Sequence, residues 1–161
     1  MDIGKVPNSI LEKIVFKNLR RGRSEVIIRP GIGEDCSAID FGEYTCVLSS
    51  DPITGAAKEI GRLAVHICCN DVASCGVEPI GLLVTVLCPP EASEQELEMI
   101  MKQLSESAAS INVDILGGHT EITTAVTRFV ITCTAVGRCM RDKLITTSGA
   151  KAGDYLIMTK H

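Results

Sequence analysis

Four acidic or glycine-rich segments of the sequence carry side chains that could hold a metal ion and a phosphate. The first is residues 30–35 (PGIGED), where two glycines permit an unusual turn just before the carboxylates of Glu34 and Asp35. The second is Asp51, which we expect at the carboxyl end of an apolar strand, directly before Pro52. Each has a plain structural alternative, a hairpin loop with solvated charges for the first and an ordinary strand-ending turn for the second.

The third segment carries Asp71 on a helix. At 100° per residue Asp71 aligns with Ile60, Ala64 and Ile67, in the middle of the most apolar stripe of that helix. Because an unpaired buried carboxylate costs several kcal/mol, we expect protonation, a cationic partner, hydrogen bonds or a metal ion to neutralise it.

The fourth segment is residues 117–121 (GGHTE), which we expect to form a loop after a short buried strand. Consecutive glycines let a phosphate approach the backbone, and His119, Thr120 and Glu121 offer a donor, a hydroxyl and an acceptor. A tight turn with polar decoration is the alternative. Separated carboxylates without a thiolate pair or paired histidines favour Mg²⁺ over Zn²⁺, and no GxxxxGK[ST] phosphate loop is present.

Alternating and helical hydrophobic patterns predict the elements that position these residues. A helix should open with a capping box at Ser9–Glu12 and end before Gly22, and another should open with a capping box at Ser93–Glu96. A third, largely apolar helix should span 57–75. Strands are predicted at 25–29, 37–41, 44–50, 79–88, 113–116, 127–137 and 155–159. This order predicts an α+β fold, a mixed sheet with helices packed on one face.

Composition narrows the class of protein. The 161 residues are 45% hydrophobic and carry a formal net charge of -4, which argues against nucleic-acid or acidic-membrane binding as the main role. The basic cluster that ends the first helix reads as a solvated helix end that complements the helix dipole. The eight cysteines show no CxxC spacing and read as small buried hydrophobes in a reducing compartment. Without a signal peptide or an apolar span, we expect a cytoplasmic protein.

The motifs PGIGEDCSAI, LSSDPITGA, HICCNDVASCGVEPIG, ILGGHTEI and GDYLIMTK, in this order, resemble the amino-terminal half of the AIR synthase superfamily. SSDPITGA, NDVAS and GGHTE are most similar to HypE-like members. The resemblance covers the chain from about residue 25 onward. It implies an ATP-dependent and Mg²⁺-dependent enzyme that activates an amide-type oxygen by phosphoryl transfer, and an amino-terminal domain that dimerises through its sheet.

The resemblance also assigns roles to residues. The metal ligands it implies are Glu34, Asp35, Asp51 and Asp71. The nucleotide contacts it implies are Gly31, Gly33, Asn70, Gly117, Gly118, His119 and Thr120. The chain departs from the thiamine monophosphate kinase-like pattern at two positions, since those members have aspartates where Glu34 and His119 stand. These departures argue against thiamine monophosphate kinase activity.

The resemblance predicts that the chain contains one domain and the beginning of a second, and it is compatible with several activities. Residues 1–150 would form the ATP-binding and dimerisation domain, and residues 151–161 would begin a second domain that continues beyond this sequence. HypE-like carboxamide dehydration in hydrogenase maturation is the first hypothesis, with a homodimer and a further maturation protein as partners. The alternatives are a non-catalytic dimerisation or nucleotide-binding module, a small-molecule kinase, an AIR synthase-type ligase, or a cysteine-based redox or metal carrier.

Overall fold

The computed structural model describes residues 3–20, 22–56 and 58–158, and within these ranges it contains three α-helices and six strands. The helices are α1 (Asn8–Ile10), α2 (Ile60–Ser74) and α3 (Glu94–Ser110). The strands are β1 (Val26–Ile28), β2 (Cys36–Asp40), β3 (Tyr44–Ile53), β4 (Pro79–Cys88), β5 (Asp114–Ile122) and β6 (Val130–Met140).

The six strands form one sheet in the order β1-β2-β3-β6-β4-β5. Every neighbouring pair is antiparallel except β4 and β5, which run parallel. A parallel pair needs a crossover connection, and α3 supplies it. The predicted mixed sheet and the α+β class are therefore confirmed.

Helices α2 and α3 pack on one face of the sheet and on each other. Alternate residues of the central strands point into this layer, among them the buried Val47, Val84 and Cys133. The two helices approach closely at Gly61, where a Cβ would lie 2.7 Å from the Ile100 carbonyl oxygen. The capping box at Ser93 is confirmed, because its hydroxyl accepts from the Glu96 N–H while its own N–H donates to the Glu96 carboxylate. No helix in the described ranges is long and apolar enough to cross a membrane.

The opposite face of the sheet, here called the open face, carries no helix within the described ranges. Leu48 and Val136 pair across it and are half-buried, and Leu83 is 47% exposed. An apolar sheet face of this kind gains stability only when something covers it.

The first helix differs from its prediction. It is a run of three short turns: the α-helical Asn8–Ile10, the π-helical Leu11–Val15 and the 3-10 Phe16–Asn18. The predicted capping box at Ser9 is wrong, because Pro7 occupies the cap position and no side chain caps the helix. None of these residues is buried, so no packed apolar face enforces regular α-helical geometry.

Other boundaries also move. Strand β3 continues to Ile53, β5 continues to Ile122, and β6 spans Val130–Met140 rather than 127–137. Helix α2 begins at Ile60, although Ala57 itself lies outside the described residues. Residues 155–158 form no strand and are exposed, and position 159 lies outside the described ranges.

Candidate functional site

The central contact of the candidate site joins helix α2 to strand β3. Ser49 is buried on the helix-covered face of β3, and its hydroxyl donates a 2.8 Å hydrogen bond to the Asp71 carboxylate. The same hydroxyl lies 3.2 Å from the Asp35 carbonyl oxygen. One serine therefore links the helix, the strand and the end of the PGIGED segment.

Asp51 joins this group because it lies two residues beyond Ser49 on the same face of β3. Strand β2 begins at Cys36, which pairs with Ser49, so the end of β3 extends past its neighbour and has no partner strand on that side among the described residues. This free edge explains how Pro52, which lacks an N–H, fits inside the strand. The prediction that the strand ends before Asp51 is wrong, since the pairing with β6 continues to Ile53.

We call Asp35, Ser49, Asp51 and Asp71 the acidic site. Burial raises the pKa of the Asp71 carboxyl, the Ser49 hydrogen bond lowers it, and the nearby Asp51 and Asp35 raise it further. Among the described residues, none of the three carboxylates forms an ion pair with a basic side chain. The site therefore concentrates negative charge without a protein cation.

The charge pattern fits a magnesium-phosphate complex better than a bare metal ion. Within the described ranges, no three His, Cys, Asp or Glu side chains are arranged as a ready metal cage. Mg²⁺ in proteins commonly keeps several waters and uses one or two carboxylates together with substrate phosphates. Converging carboxylates with a raised pKa at Asp71 suit that mode of binding.

Asp71 lies at the margin of the buried stripe of α2, not in its middle as the sequence predicts. Ile60 and Ala64 are buried, but Ile67 is 37% exposed and Asp71 is half-buried. The packed stripe turns toward Cys68 and Val72, which face strand β6: the Cys68 thiol donates to the Cys133 carbonyl oxygen at 3.1 Å, and Val72 packs against Gly137. A carboxylate at this margin can reach both Ser49 and solvent.

Glu34 is held by a different element, the segment 144–148, which we call the strap. The strap packs Leu144 against the core and donates the Ile145 N–H to the Cys75 carbonyl oxygen at 3.0 Å. The Thr147 hydroxyl then donates to the Glu34 carboxylate. The strap thus joins the end of α2 to the turn that precedes the acidic site.

The two glycines of the PGIGED turn have different roles. The Glu34 N–H donates to the Gly31 carbonyl oxygen at 3.3 Å, and Gly33 between them has φ +82°, a left-handed value that favours glycine. The predicted unusual turn is confirmed at Gly33. Asn70 is exposed on α2 beside Asp71, and its contact with a nucleotide stays a prediction.

Residues 117–121 do not form the predicted loop, because they lie within β5 and pair with β4. Gly118 allows this pairing, since a Cβ there would lie only 1.7 Å from the Val84 carbonyl oxygen. His119 pairs in register with Thr85, which lies on the open face, and its Nε2 is 3.1 Å from the Glu121 carboxylate. Strands β6 and β4 separate β5 from β3, a distance of about 14 Å.

The acidic segments therefore converge within one chain, whereas the GGHTE segment lies on another strand and presents His119 and Glu121 to the other face. Two residues that organise the site, Ser49 and Thr147, were not predicted from the sequence. Alternation along β3 could have revealed Ser49, because Val47, Ser49 and Asp51 share one face. No local pattern indicates the Thr147 contact, which joins residues 113 positions apart.

The cysteines do not contribute a second reactive site. The eight thiols are free, and six of them are buried. Burial raises the pKa of Cys36 and Cys133 to about 12 and that of Cys68 and Cys69 to about 11. Thiols with raised pKa values are poor nucleophiles and metal ligands, which supports their interpretation as small core residues.

Sequence comparison with protein families decides the membership of the chain. The model of the family "AIR synthase related protein, N-terminal domain" matches residues 33–139, about two thirds of the sequence. The chain belongs to the AIR synthase-related family. The matched segment contains the whole acidic site and the GGHTE strand.

Curated relatives of this AIR synthase-related chain have several named activities. A protein of Methanocaldococcus jannaschii named for hydrogenase expression and formation is 28% identical over 97% of the chain and 48% of its own length. The phosphoribosylformylglycinamidine cyclo-ligase of the same organism is 30% identical over 95% of the chain and 45% of its length. The chain thus spans about half the length of these relatives.

Solved structures show the same AIR synthase-related fold. The structure titled AaThiL complexed with AMPPCP and TMP matches 95% of the chain and 49% of its own, with a TM-score of 0.74 and 18% identity. Hydrogenase maturation protein HypE in complex with ATP matches 88% of the chain and 42% of its own, with a TM-score of 0.58 and 20% identity.

Proposed function

We propose that the chain is the nucleotide-binding and dimerisation part of an ATP-dependent enzyme that activates an amide-type oxygen by phosphoryl transfer. The observation that carries this proposal is the convergence of Asp35, Asp51 and Asp71 around Ser49 without a cationic side chain. Mutually repelling carboxylates at one point are stabilised when a divalent cation and its phosphate ligands bind there.

The residues of the acidic site would divide the work of binding. One or two of the carboxylates of Asp35, Asp51 and Asp71 would hold Mg²⁺ together with the nucleotide phosphates, and Ser49 would fix the Asp71 carboxylate by its 2.8 Å hydrogen bond. Glu34, oriented by Thr147, would add a further carboxylate from the neighbouring turn. When bound, Mg²⁺ neutralises phosphate charge, which phosphoryl transfer requires more than it requires a protein nucleophile.

The relatives support nucleotide binding by this fold. HypE has been solved with ATP and AaThiL with AMPPCP, and both share the fold of this chain. Among the curated relatives, we favour the activity of HypE-like proteins, carboxamide dehydration in hydrogenase maturation, because a hydrogenase formation protein matches nearly the whole chain. A kinase or a cyclo-ligase of the same superfamily is the alternative.

The open face favours a second role for the same chain, the formation of a homodimer through the sheet. Leu83, Leu48 and Val136 form an apolar surface on that face, and covering it would remove this surface from water. A non-catalytic dimerisation module would use the same face and would not need the acidic site. The HypE–HypF complex suggests a further maturation protein as partner.

We propose that residues 1–150 form this domain and that residues 151–161 begin a second one. Because the chain spans about half the length of its relatives, an active enzyme requires the remaining half. A reducing compartment that contains ATP, such as the cytoplasm, suits the eight free thiols.

Calorimetric titration of ATP tests the proposal on the chain and on its full-length parent. ATP should bind in Mg²⁺ and not in EDTA, and Asp71→Asn should weaken binding at least tenfold. Asp114→Asn is the matched control, because Asp114 is exposed on β5, at the far edge of the sheet. Equal effects of both substitutions, or ATP binding without Mg²⁺, would contradict the proposal, whereas a stable dimer without ATP binding would support the dimerisation module.

A further inference from the structure

A second charged feature lies outside the acidic site, between the N-terminal turns and strand β1. It is a cavity of about 450 Å³, which we call the arginine cavity. Its walls are formed by three guanidinium-bearing residues and an apolar surface, namely Arg20, Arg23, Arg29, Leu19, Val26 and Pro30. The sequence interpretation of this basic cluster as a solvated helix end did not predict a cavity.

The charges around the arginine cavity do not cancel. Arg23 pairs with Glu25 at 2.6 Å, and Arg29, which is half-buried, donates to the Arg23 carbonyl oxygen. Arg20 has no ion pair within the described part of the chain. Among the described residues that line the cavity and their ion-pair partners, one carboxylate stands against three guanidiniums, a surplus of two positive charges in a protein whose net charge is -4.

Three guanidiniums that line one cavity repel each other, and an anion bound between them would replace this repulsion by attraction. Each guanidinium has five N–H donors in a planar fork that matches phosphate oxygens, and most of these donors are not used by protein acceptors here. A phosphate monoester at neutral pH carries nearly two negative charges, which equals the local surplus.

The apolar wall of the cavity indicates that the ligand has an apolar body in addition to a phosphate. Leu19 and Val26 line the cavity. An adjoining hollow of about 420 Å³ shares Pro30 with the cavity and is lined by Phe16 and Ile32 together with the charged Glu12 and Lys17. Cavities of this size match small organic ligands rather than a bare ion.

We propose that the arginine cavity binds a phosphorylated small molecule that has an apolar body. The phosphate lies among Arg20, Arg23 and Arg29, and the apolar body lies on Leu19, Val26 and Pro30. The cavity ends at Pro30, the first residue of the turn that carries Glu34. A ligand bound there does not depend on the acidic site, because no residue of that site lines the cavity.

Phenyl phosphate combines a phosphate group with an apolar ring and therefore serves as the probe ligand for the arginine cavity. Its binding to the full chain is measured by calorimetry in EDTA at pH 8, with inorganic phosphate and phenol as the separate parts. Phenyl phosphate should bind more tightly than either part. Arg20→Gln and Arg29→Gln should each weaken it about tenfold or more, as expected for lost charged hydrogen bonds.

Two further variants separate a built site from general electrostatics. Arg62→Gln removes the same charge from α2, outside the arginine cavity, and should leave binding unchanged. Gly22→Ala keeps all charges but places a methyl group 3.0 Å from the Arg20 Nε, so it should weaken binding by displacing that guanidinium.

The outcomes separate this proposal from that of the acidic site. Asp71→Asn should not change the affinity for phenyl phosphate in EDTA, whether or not it changes the affinity for ATP in Mg²⁺. The proposal is overturned if phenyl phosphate does not bind in EDTA, if Asp71→Asn abolishes binding, or if Arg62→Gln weakens it as much as Arg20→Gln. If phenyl phosphate binds no more tightly than inorganic phosphate, the claim that the cavity also binds an apolar body is overturned.

Discussion

The neighbouring glycines of strand β5 provide a matched pair of substitutions that tests how the GGHTE segment is built. Gly117 and Gly118 have nearly the same backbone angle, φ +148° and +151°, which side chains rarely adopt. A Cβ at Gly117 meets nothing within 4 Å, whereas a Cβ at Gly118 would lie 1.7 Å from the Val84 carbonyl oxygen. The two alanine variants therefore share the conformational cost and differ in the steric clash.

The cost of each variant follows from these contacts. Alanine in such a backbone conformation costs about 1–3 kcal/mol, which is the whole expected effect of Gly117→Ala. Gly118→Ala must also move β5 away from β4 until the Cβ and the oxygen reach ordinary contact, a shift of about 1.7 Å that breaks two or three nearby ladder hydrogen bonds. At about 1 kcal/mol each, these add about 2–3 kcal/mol.

Thermal and urea unfolding of the two variants measure this difference. For a chain of 161 residues, 1 kcal/mol corresponds to about 2–4 °C in Tm, so Gly118→Ala should unfold about 4–12 °C below Gly117→Ala. Equal Tm values would refute the reasoning, because they would mean that β5 does not pair with β4 at Gly118. Loss of ATP binding by Gly117→Ala under conditions in which the variant remains folded would support the predicted nucleotide contact at that residue.

Two more predictions concern the acidic site. The pKa of Asp71 is raised in the folded protein, so its contribution to stability is present at low pH and is lost as the pH rises through the raised value. Without Mg²⁺, Asp71→Asn should therefore raise Tm increasingly as the pH rises from the ordinary carboxyl range through that raised value. Parallel Tm curves for the two proteins would contradict this. Thr147→Val should weaken Mg²⁺-dependent ATP binding about three- to tenfold, because Glu34 loses its hydrogen bond, whereas Thr146→Val, which breaks contacts only within the strap, should not. Equal affinities of the two threonine variants would show that the strap does not orient Glu34.

Local patterns were enough to predict the main elements of the fold. The apolar residues of α3 at helical spacing and its capping box at Ser93 appear in the structure as expected, because both depend on neighbours within one helix. The long buried strand β4 was predicted with the same bounds as observed. Strand β3 was predicted too short because Pro52 usually ends a strand, and only the missing β2 neighbour makes it acceptable there.

Long-range pairing explains what the sequence did not reveal. The segment 117–121 looks like a loop by its glycines, but the positive φ of Gly118 serves close contact with β4, which lies about 34 residues earlier in the chain. The convergence of Asp35, Asp51 and Asp71 was inferred from the family resemblance and from the cost of burying Asp71. The residues that organise this convergence, Ser49 and Thr147, are recognisable only once the strands and the strap are in place.

The register of β5 prevents a single chain from bringing together, at one nucleotide, all the residues that the family resemblance assigns to nucleotide binding. Asp51 lies on the helix-covered face of β3, whereas His119 lies on the open face of β5, with strands β6 and β4 between them. An open-face dimer would bring His119 and its Glu121 partner against the second copy rather than into the acidic site of their own chain. Contacts of His119 with a nucleotide would therefore depend on dimer formation, whereas those of Asp71 would not. Dilution that dissociates the dimer should remove the contribution of His119 to nucleotide binding and leave that of Asp71.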